Sequence, residues 1–260
     1  MKKSLLFISC FLATAFLLTG CLDTEEDLTI NDNGSGVYKT SVDMSGLFDM
    51  IQMAAMMDTS ANNQLKQLGD KNIDSTLSLS AFTDTSTTLT AEEKALLHDG
   101  SLHMAINQKE KVFKFDIIYP FKKVEDVQKI MELQQNGKGF NPLAKAKNNP
   151  ALQGMDDQGG GLPSADQYTK TSFKNGLIER KVDVEKINEL KKNEQFSQMQ
   201  NAGDMLSGVT FTTVIHLPKA AKSSSGSKLT VSDDKKTVRV KYTLQDIMKT
   251  PQALEFKVEY

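Results

Sequence analysis

The sequence predicts an α+β fold in which antiparallel β-hairpins form one or two sheets and two to four helices cover them. Three observations favour this class. Apolar and polar residues alternate over several short segments, which is the pattern of half-buried strands. Turn-forming sequences such as Asn175-Gly176 separate pairs of these segments. The strands follow one another in runs and do not alternate one by one with helices, so a doubly wound parallel sheet is disfavoured.

The first half of the chain contains two predicted hairpins. Residues 28–30 and 37–42 flank the turn 31–36, which is rich in Asn, Asp and Gly. Residues 102–106 and 112–119 flank a second turn at 107–110. Between these hairpins, residues 73–82 alternate in polarity and predict a further strand.

Three helices are predicted in the same half. Apolar residues recur at three- and four-residue steps over 44–68. Thr90 and Glu93 form the sequence pattern of a capping box at the start of a short helix that ends at Leu97. Residues 124–133 predict an amphipathic helix, whose apolar face consists of Val124, Val127, Ile130 and Met131.

Methionine is concentrated in the first of these helices. Methionine is flexible enough to fill irregular gaps in a core and also adapts to varied ligands. The stretch therefore allows two interpretations: packing against the sheet, or an apolar surface for a lipid or a partner. The candidate surface residues are Met50, Met53, Met56 and Met57.

The second half repeats the pattern of hairpins and helices. Strands at 168–174 and 177–182 flank Asn175-Gly176, and a polar helix follows at 184–205. A strand at 209–217 ends at Pro218, because proline cannot donate a backbone hydrogen bond. Strands at 229–231 and 237–243 are predicted to form a further hairpin across the turn 233–236, and a last strand is predicted at 253–260.

A segment at about 136–166 separates the two halves. It is rich in Asn, Gly, Gln and Lys and has few large apolar side chains, so we expect a mobile loop. The sequence leaves open whether residues 28–260 form one domain or two halves that meet at this loop.

The N-terminus has the three parts of a secretory signal peptide. Lys2 and Lys3 precede a largely apolar run of 14 residues, 5–18, which is shorter than the ~20 residues of a membrane-spanning helix. Residues 1–20 are therefore predicted to be cleaved. Leu18-Thr19-Gly20-Cys21 resembles the lipobox of bacterial lipoproteins, which implies that the Cys21 thiol carries a lipid.

An acidic stretch follows the predicted anchor. Residues 21–27 are interpreted as the lipidated cysteine and an acidic tether. Two roles for the acidic residues remain open: a surface-export signal, or a solvated spacer between the lipid and the domain.

Several motifs together resemble a family of Bacteroidota-type membrane lipoproteins. Besides the lipobox and the acidic stretch, the resemblance rests on Gly34-Ser35-Gly36, Ile73-Asp74-Ser75-Thr76, Ile215-His216-Leu217-Pro218 and Leu254-Glu255-Phe256. It implies an α+β extracytoplasmic domain anchored in the outer membrane, with a palmitate-type lipid on Cys21. It implies no activity for any residue.

The composition and motifs argue against several functions. The formal net charge is −2, and the chain has no basic stripe of the kind that binds nucleic acid. Both cysteines, Cys10 and Cys21, are accounted for by the signal peptide and the anchor. We predict no catalytic residue, no metal site and no cofactor; His98, His103 and His216 do not have the spacing of a zinc site.

Three functions are compatible with this pattern. The first is a non-enzymatic, lipid-anchored protein that binds an envelope protein partner. The second is a carrier or sensor of an apolar ligand that uses the methionine-rich helix. The third is a hydrolase, for which no catalytic arrangement is found.

Overall fold

The computed structural model describes residues 22–46, 48, 72–139, 168–192 and 208–260, which contain two β-sheets and five short α-helices. The strands are β1 (Leu22–Ile30), β2 (Gly36–Asp43), β3 (Asn72–Ser78), β4 (Ser101–Asn107), β5 (Val112–Phe121), β6 (Thr169–Lys174), β7 (Leu177–Val182), β8 (Val209–His216), β9 (Ser223–Ser225), β10 (Leu229–Val231), β11 (Thr237–Thr243) and β12 (Phe256–Glu259). The helices are α1 (Ser80–Thr85), α2 (Ala91–Leu97), α3 (Glu125–Gln135), α4 (Val184–Lys192) and α5 (Leu244–Lys249). The predicted α+β class is confirmed.

The larger sheet has eight strands in the order β10-β11-β8-β1-β2-β5-β4-β3, and the smaller has four in the order β6-β7-β12-β9. Neighbouring described strands pair antiparallel, with one exception. Strands β1 and β8 run parallel, with Leu22 opposite Val209 and Thr29 opposite His216. Strands from both sides of residues 136–166 therefore share one sheet.

All four predicted hairpins form. They join β1 to β2, β4 to β5, β6 to β7 and β10 to β11. Two of the turns contain glycines in the left-handed region, Gly34 at φ 79° and Gly176 at φ 85°. Glycine adopts this backbone conformation without steric cost, which is why Asn-Gly-type sequences predict such turns correctly.

Strand β3 ends at Ser78, four residues earlier than predicted. The Leu79 amide donates to the Gly100 carbonyl (2.9 Å), and the Thr83 amide donates to the Leu79 carbonyl (2.9 Å), which starts α1. Leu79 and Thr83 are 1% and 0% exposed, so the helical spacing buries both side chains. The alternation of polar and apolar residues over 73–82 therefore spans the end of a strand and the start of a helix.

The C-terminal elements also differ from the prediction. Helix α5 was not predicted, although Thr243 and Asp246 form a capping box in which the Asp246 amide donates to the Thr243 hydroxyl (3.2 Å). Pro251 then begins a 3-10 turn, Pro251–Leu254, and β12 starts at Phe256 instead of at residue 253. The capping box predicted at Thr90 is confirmed, with the Glu93 amide donating to the Thr90 hydroxyl (3.2 Å).

The core lies between the inner face of the eight-stranded sheet, the four-stranded sheet and α3. The predicted apolar face of α3 is confirmed, since Val124, Val127, Ile130 and Met131 are all buried. After Gln135 the helix ends, with Gly137 at φ 67° and the Gly139 amide donating to the Leu133 carbonyl (2.7 Å). Parts of three predicted segments lie outside the described residues: the rest of the loop predicted over 136–166, the C-terminal part of the helix predicted over 184–205, and most of the helix predicted over 44–68.

Candidate functional site at the start of strand β1

The predicted anchor is next to the first described residue. Cys21 itself lies outside the described residues, and so do Met50, Met53, Met56 and Met57. The lipid anchor and the methionine surface therefore stay predictions. Leu22, the residue that follows Cys21, is already the first residue of β1.

Strand β1 begins six residues earlier than predicted. Residues 22–27 were interpreted as a tether, but they lie within a strand that is paired on both sides, with β2 and with β8. Leu22 is 6% exposed. No stretch of spacer therefore separates residue 21 from the centre of the sheet.

Side chains alternate between the two faces of β1, as strand geometry requires. Leu22, Glu26, Leu28 and Ile30 are buried toward the core. Asp23, Glu25 and Asp27 lie on the opposite, outer face. The acidic run is therefore split between two environments, a distinction that the charge pattern alone could not reveal.

Glu26 forms a buried ion pair with Arg180 of β7. Arg180 Nη2 lies 2.8 Å from Glu26 Oε2, and the two side chains are 1% and 9% exposed. The Thr213 hydroxyl also donates to Glu26 Oε2 (3.0 Å). Arg180 further donates to the Thr171 hydroxyl (2.9 Å) and lies 5.3 Å from the centroid of the Phe256 ring.

This polar cluster joins the two sheets. Glu26 and Thr213 belong to the eight-stranded sheet, whereas Thr171 and Arg180 belong to the four-stranded sheet. The void beside them is only about 10 Å³, which is room for about one water molecule. We interpret the cluster as a structural lock between the sheets, because no small-molecule ligand fits in this space.

The acidic side chains on the outer face of β1 each have a polar partner on β8 or β11. The Thr210 hydroxyl donates to Asp23, Glu25 lies 3.4 Å from Arg239, and Asp27 lies 3.4 Å from His216. The carboxylates of the predicted acidic tether are thus held on a sheet surface by side chains of β8 and β11.

Asp43 and Lys114 form a further pair on this face, 2.8 Å apart. Burial acts to raise the pKa of Asp43, but hydrogen bonds from Lys114 and from Ser45 outweigh it and hold the pKa below its ordinary value. Asp43 therefore stays ionised at neutral pH.

The three histidines lie at the surface beside carboxylates. His103 Nε2 is 2.9 Å from Asp74 and its Nδ1 is 3.6 Å from Asp116; the hydrogen bond with Asp74 is the main cause that raises the pKa of His103. His98 lies 3.1 Å from Asp99, whose hydrogen bond raises the pKa of His98. Within the described part of the chain, no three His, Cys, Asp or Glu side chains are grouped so as to hold a metal ion.

A polar groove of about 750 Å³ lies between the end of α3, β6, β7 and the start of α4. Its lining mixes both signs of charge, including Glu132, Lys170, Glu179, Lys181 and Asp183. Lys170 lies 2.8 Å from Asp183, and its hydrogen bond is the main cause that lowers the pKa of that carboxyl. A second groove, of about 490 Å³, shares Glu179 and Lys181 with the first.

No helix in the described ranges is long and apolar enough to cross a membrane.

Comparison with known proteins assigns no family. No protein-family description matches the chain, and no curated protein matches it either. Among solved structures, the chain is similar to the folded domain of the LppM protein of Mycobacterium tuberculosis, determined by NMR, with a TM-score of 0.37 and 7% sequence identity over 93% of this chain and 92% of that one.

Proposed function

We propose that this chain is a lipid-anchored protein of the bacterial cell envelope, held in the outer membrane through Cys21. The observation that carries the proposal is the sequence Leu18-Thr19-Gly20-Cys21 at the end of a 14-residue apolar run. The start of β1 at Leu22 is compatible with it, because cleavage before Cys21 leaves the whole of this strand in the mature chain. Two or more acyl chains on one cysteine suffice for stable membrane residence.

We further propose that the anchored domain binds a protein partner of the envelope and is not an enzyme. The mixed-charge grooves that share Glu179 and Lys181 support a contact surface for another protein, since polar rims with both signs of charge give specificity. The apolar-carrier alternative depends on the methionines outside the described residues and stays a prediction.

The two cysteines provide a matched test of the anchor. The wild type, Cys10→Ser and Cys21→Ser are expressed as full chains in a diderm bacterium that is fed an alkyne analogue of palmitate. The wild type and Cys10→Ser are expected to be labelled and to sediment with outer-membrane vesicles, whereas Cys21→Ser loses the label. Unchanged membrane partitioning of Cys21→Ser contradicts the proposal, and so does a mature N-terminus at Met1 by mass spectrometry.

The binding role is tested separately by crosslinking in native membranes. A defined adduct larger than the chain itself is expected, and it should weaken in Lys181→Glu, which reverses a charge shared by both grooves. Lys241→Glu, on the outer face of β11, serves as the control for charge reversal elsewhere. An adduct that is equally strong in both variants contradicts the assignment to these grooves.

A further inference from the structure

We propose that, in the anchored protein, the end of the eight-stranded sheet at which β1 begins rests directly on the phospholipid headgroups. This inference rests on the proposed lipid anchor at Cys21. It adds an orientation and a membrane-contact surface, neither of which anchoring alone requires.

The first argument is the length of chain between the anchor and the folded body. Cys21 and Leu22 are consecutive, so their Cα atoms are about 3.8 Å apart. Leu22 is fixed by pairing with Val209 and is 6% exposed. A flexible seven-residue tether would instead allow a separation of about 15 Å.

The second argument is the register of the strands, which shows which other strand ends and turns lie beside the start of β1. Asp23 is opposite Asp43, the last residue of β2, and Asp43 is opposite Lys114 near the start of β5. Thr210, at the start of β8, is opposite Thr243, the last residue of β11. Asn107 of β4 and Val112 of β5 are paired with each other, farther toward this end of the sheet than Lys114, and the β4–β5 turn connects them.

The β4–β5 turn therefore projects past the start of β1 and toward the bilayer. It carries Lys109 and Lys111, both exposed, around Glu110. Ammonium groups are suited to contact lipid phosphates. At the other end of β1, nine residues away, lies the turn that contains Asp32, about 30 Å farther along the strand axis.

The two turns allow a direct test. In lipidated protein the Cys21 sulfur is blocked by the thioether, and the wild-type mature chain has no other cysteine, so an introduced cysteine is the one free thiol. Glu110→Cys and Asp32→Cys are each labelled with the same environment-sensitive fluorophore. The proteins are reconstituted in phosphatidylcholine vesicles that contain a lipid with a nitroxide on its headgroup.

We expect strong quenching of the label at position 110, at least threefold above that at position 32. Equal quenching at the two positions, or stronger quenching at position 32, overturns the proposed orientation. Flotation with the vesicles is measured first: failure of the lipidated protein to float counts against the anchor itself, whereas flotation with equal quenching counts only against the orientation.

A spacer variant tests whether the short linkage sets the distance. Ten Gly and Ser residues inserted between Cys21 and Leu22 add a mean separation of about 17 Å. Quenching at position 110 is then expected to fall to the level at position 32, while flotation is unchanged. Quenching at position 110 that survives the insertion overturns the proposal.

Discussion

Arg180 is a charged side chain at the centre of the fold. Nearby groups must offset the free-energy cost of burying its charge. Moving a charge out of water is expensive, and a partner with additional hydrogen bonds compensates for it. Glu26, Thr171 and Thr213 supply that compensation at 2.8–3.1 Å. The arrangement is consequently sensitive to the loss of one partner and tolerant of the loss of both.

Arg180→Met is expected to lower the free energy of unfolding by about 3–5 kcal/mol, because it leaves the Glu26 carboxylate buried and unpaired. Replacing both residues, as Arg180→Met with Glu26→Leu, should restore most of that loss. Arg239→Met is the matched control, since its pair with Glu25 is exposed and should cost about 0.2–1 kcal/mol. Denaturant unfolding measures all three; a single Arg180 variant no worse than the Arg239 variant contradicts the structural lock.

His103 makes stability depend on pH. Its pKa is raised in the folded state by the hydrogen bond with Asp74, so the stabilisation is fully present below the unfolded value of 6.5 and is lost as pH rises through the folded pKa. His103→Gln should therefore destabilise more near about pH 5.5 than near about pH 8, by at most about 1 kcal/mol for such an exposed pair.

NMR titration checks the same group directly. The pKa of His103 should fall in Asp74→Asn and should fall less in Asp116→Asn, because Asp116 is 3.6 Å away and Asp74 only 2.9 Å. A His103 pKa that Asp74→Asn leaves unchanged would rule out the hydrogen bond as its cause.

At the scale of single elements, the β1–β2 hairpin depends on a close backbone approach. A Cβ at Gly36 would collide with the Thr29 carbonyl oxygen of the facing strand and with the Phe121 ring. A Cβ at Gly34, in the turn, would have no atom within 4 Å, but the backbone there has a φ of +79°. The two glycines are thus required for different reasons, one by packing and the other by backbone conformation.

Gly36→Ala is expected to destabilise the protein more than Gly34→Ala. The first change forces two paired strands apart and should cost about 3 kcal/mol, at the upper end of the overpacking range. The second places a Cβ in the left-handed region and should cost about 1–2 kcal/mol. Thermal unfolding of the two variants measures the order, and the reverse order would contradict the close approach of β1 and β2.

The sequence correctly predicted those elements that are determined by interactions between residues close together in the chain. The hairpin turns at Gly34 and Gly176 and the cap at Thr90 involve residues at most a few positions apart. The same logic could have found α5, whose capping box at Thr243 and Asp246 was overlooked. The end of β3 at Ser78 depends on Gly100, which is distant in sequence, and alternation alone could not indicate it.

At the scale of the whole molecule, β1 and β8 tie the two halves of the chain into one sheet. Without residues 168–260, β1 would lose its parallel neighbour and Glu26 would lose Arg180. The buried residues that face the four-stranded sheet, such as Leu28 and Tyr38, would become exposed to water. Neither half therefore has a complete core of its own.

Fragments 22–139 and 168–260, expressed separately, are expected not to fold. Each should give a poorly dispersed amide NMR spectrum and no cooperative unfolding transition. The unsplit chain carrying Cys21→Ser is the folded reference. A dispersed spectrum from fragment 22–139 alone would show that the halves fold independently.

Short-range patterns in the amino-acid sequence were enough to predict the fold class, the four hairpins and the buried face of α3, and they include the lipobox-like motif on which the predicted anchor depends. These features depend on short-range patterns of polarity and turn chemistry. Tertiary structure alone decided that the acidic residues after Cys21 belong to a central strand, because that outcome depends on pairing with β8 and on an ion pair between residues 154 positions apart. No pattern within one segment specifies which distant strand will lie beside it.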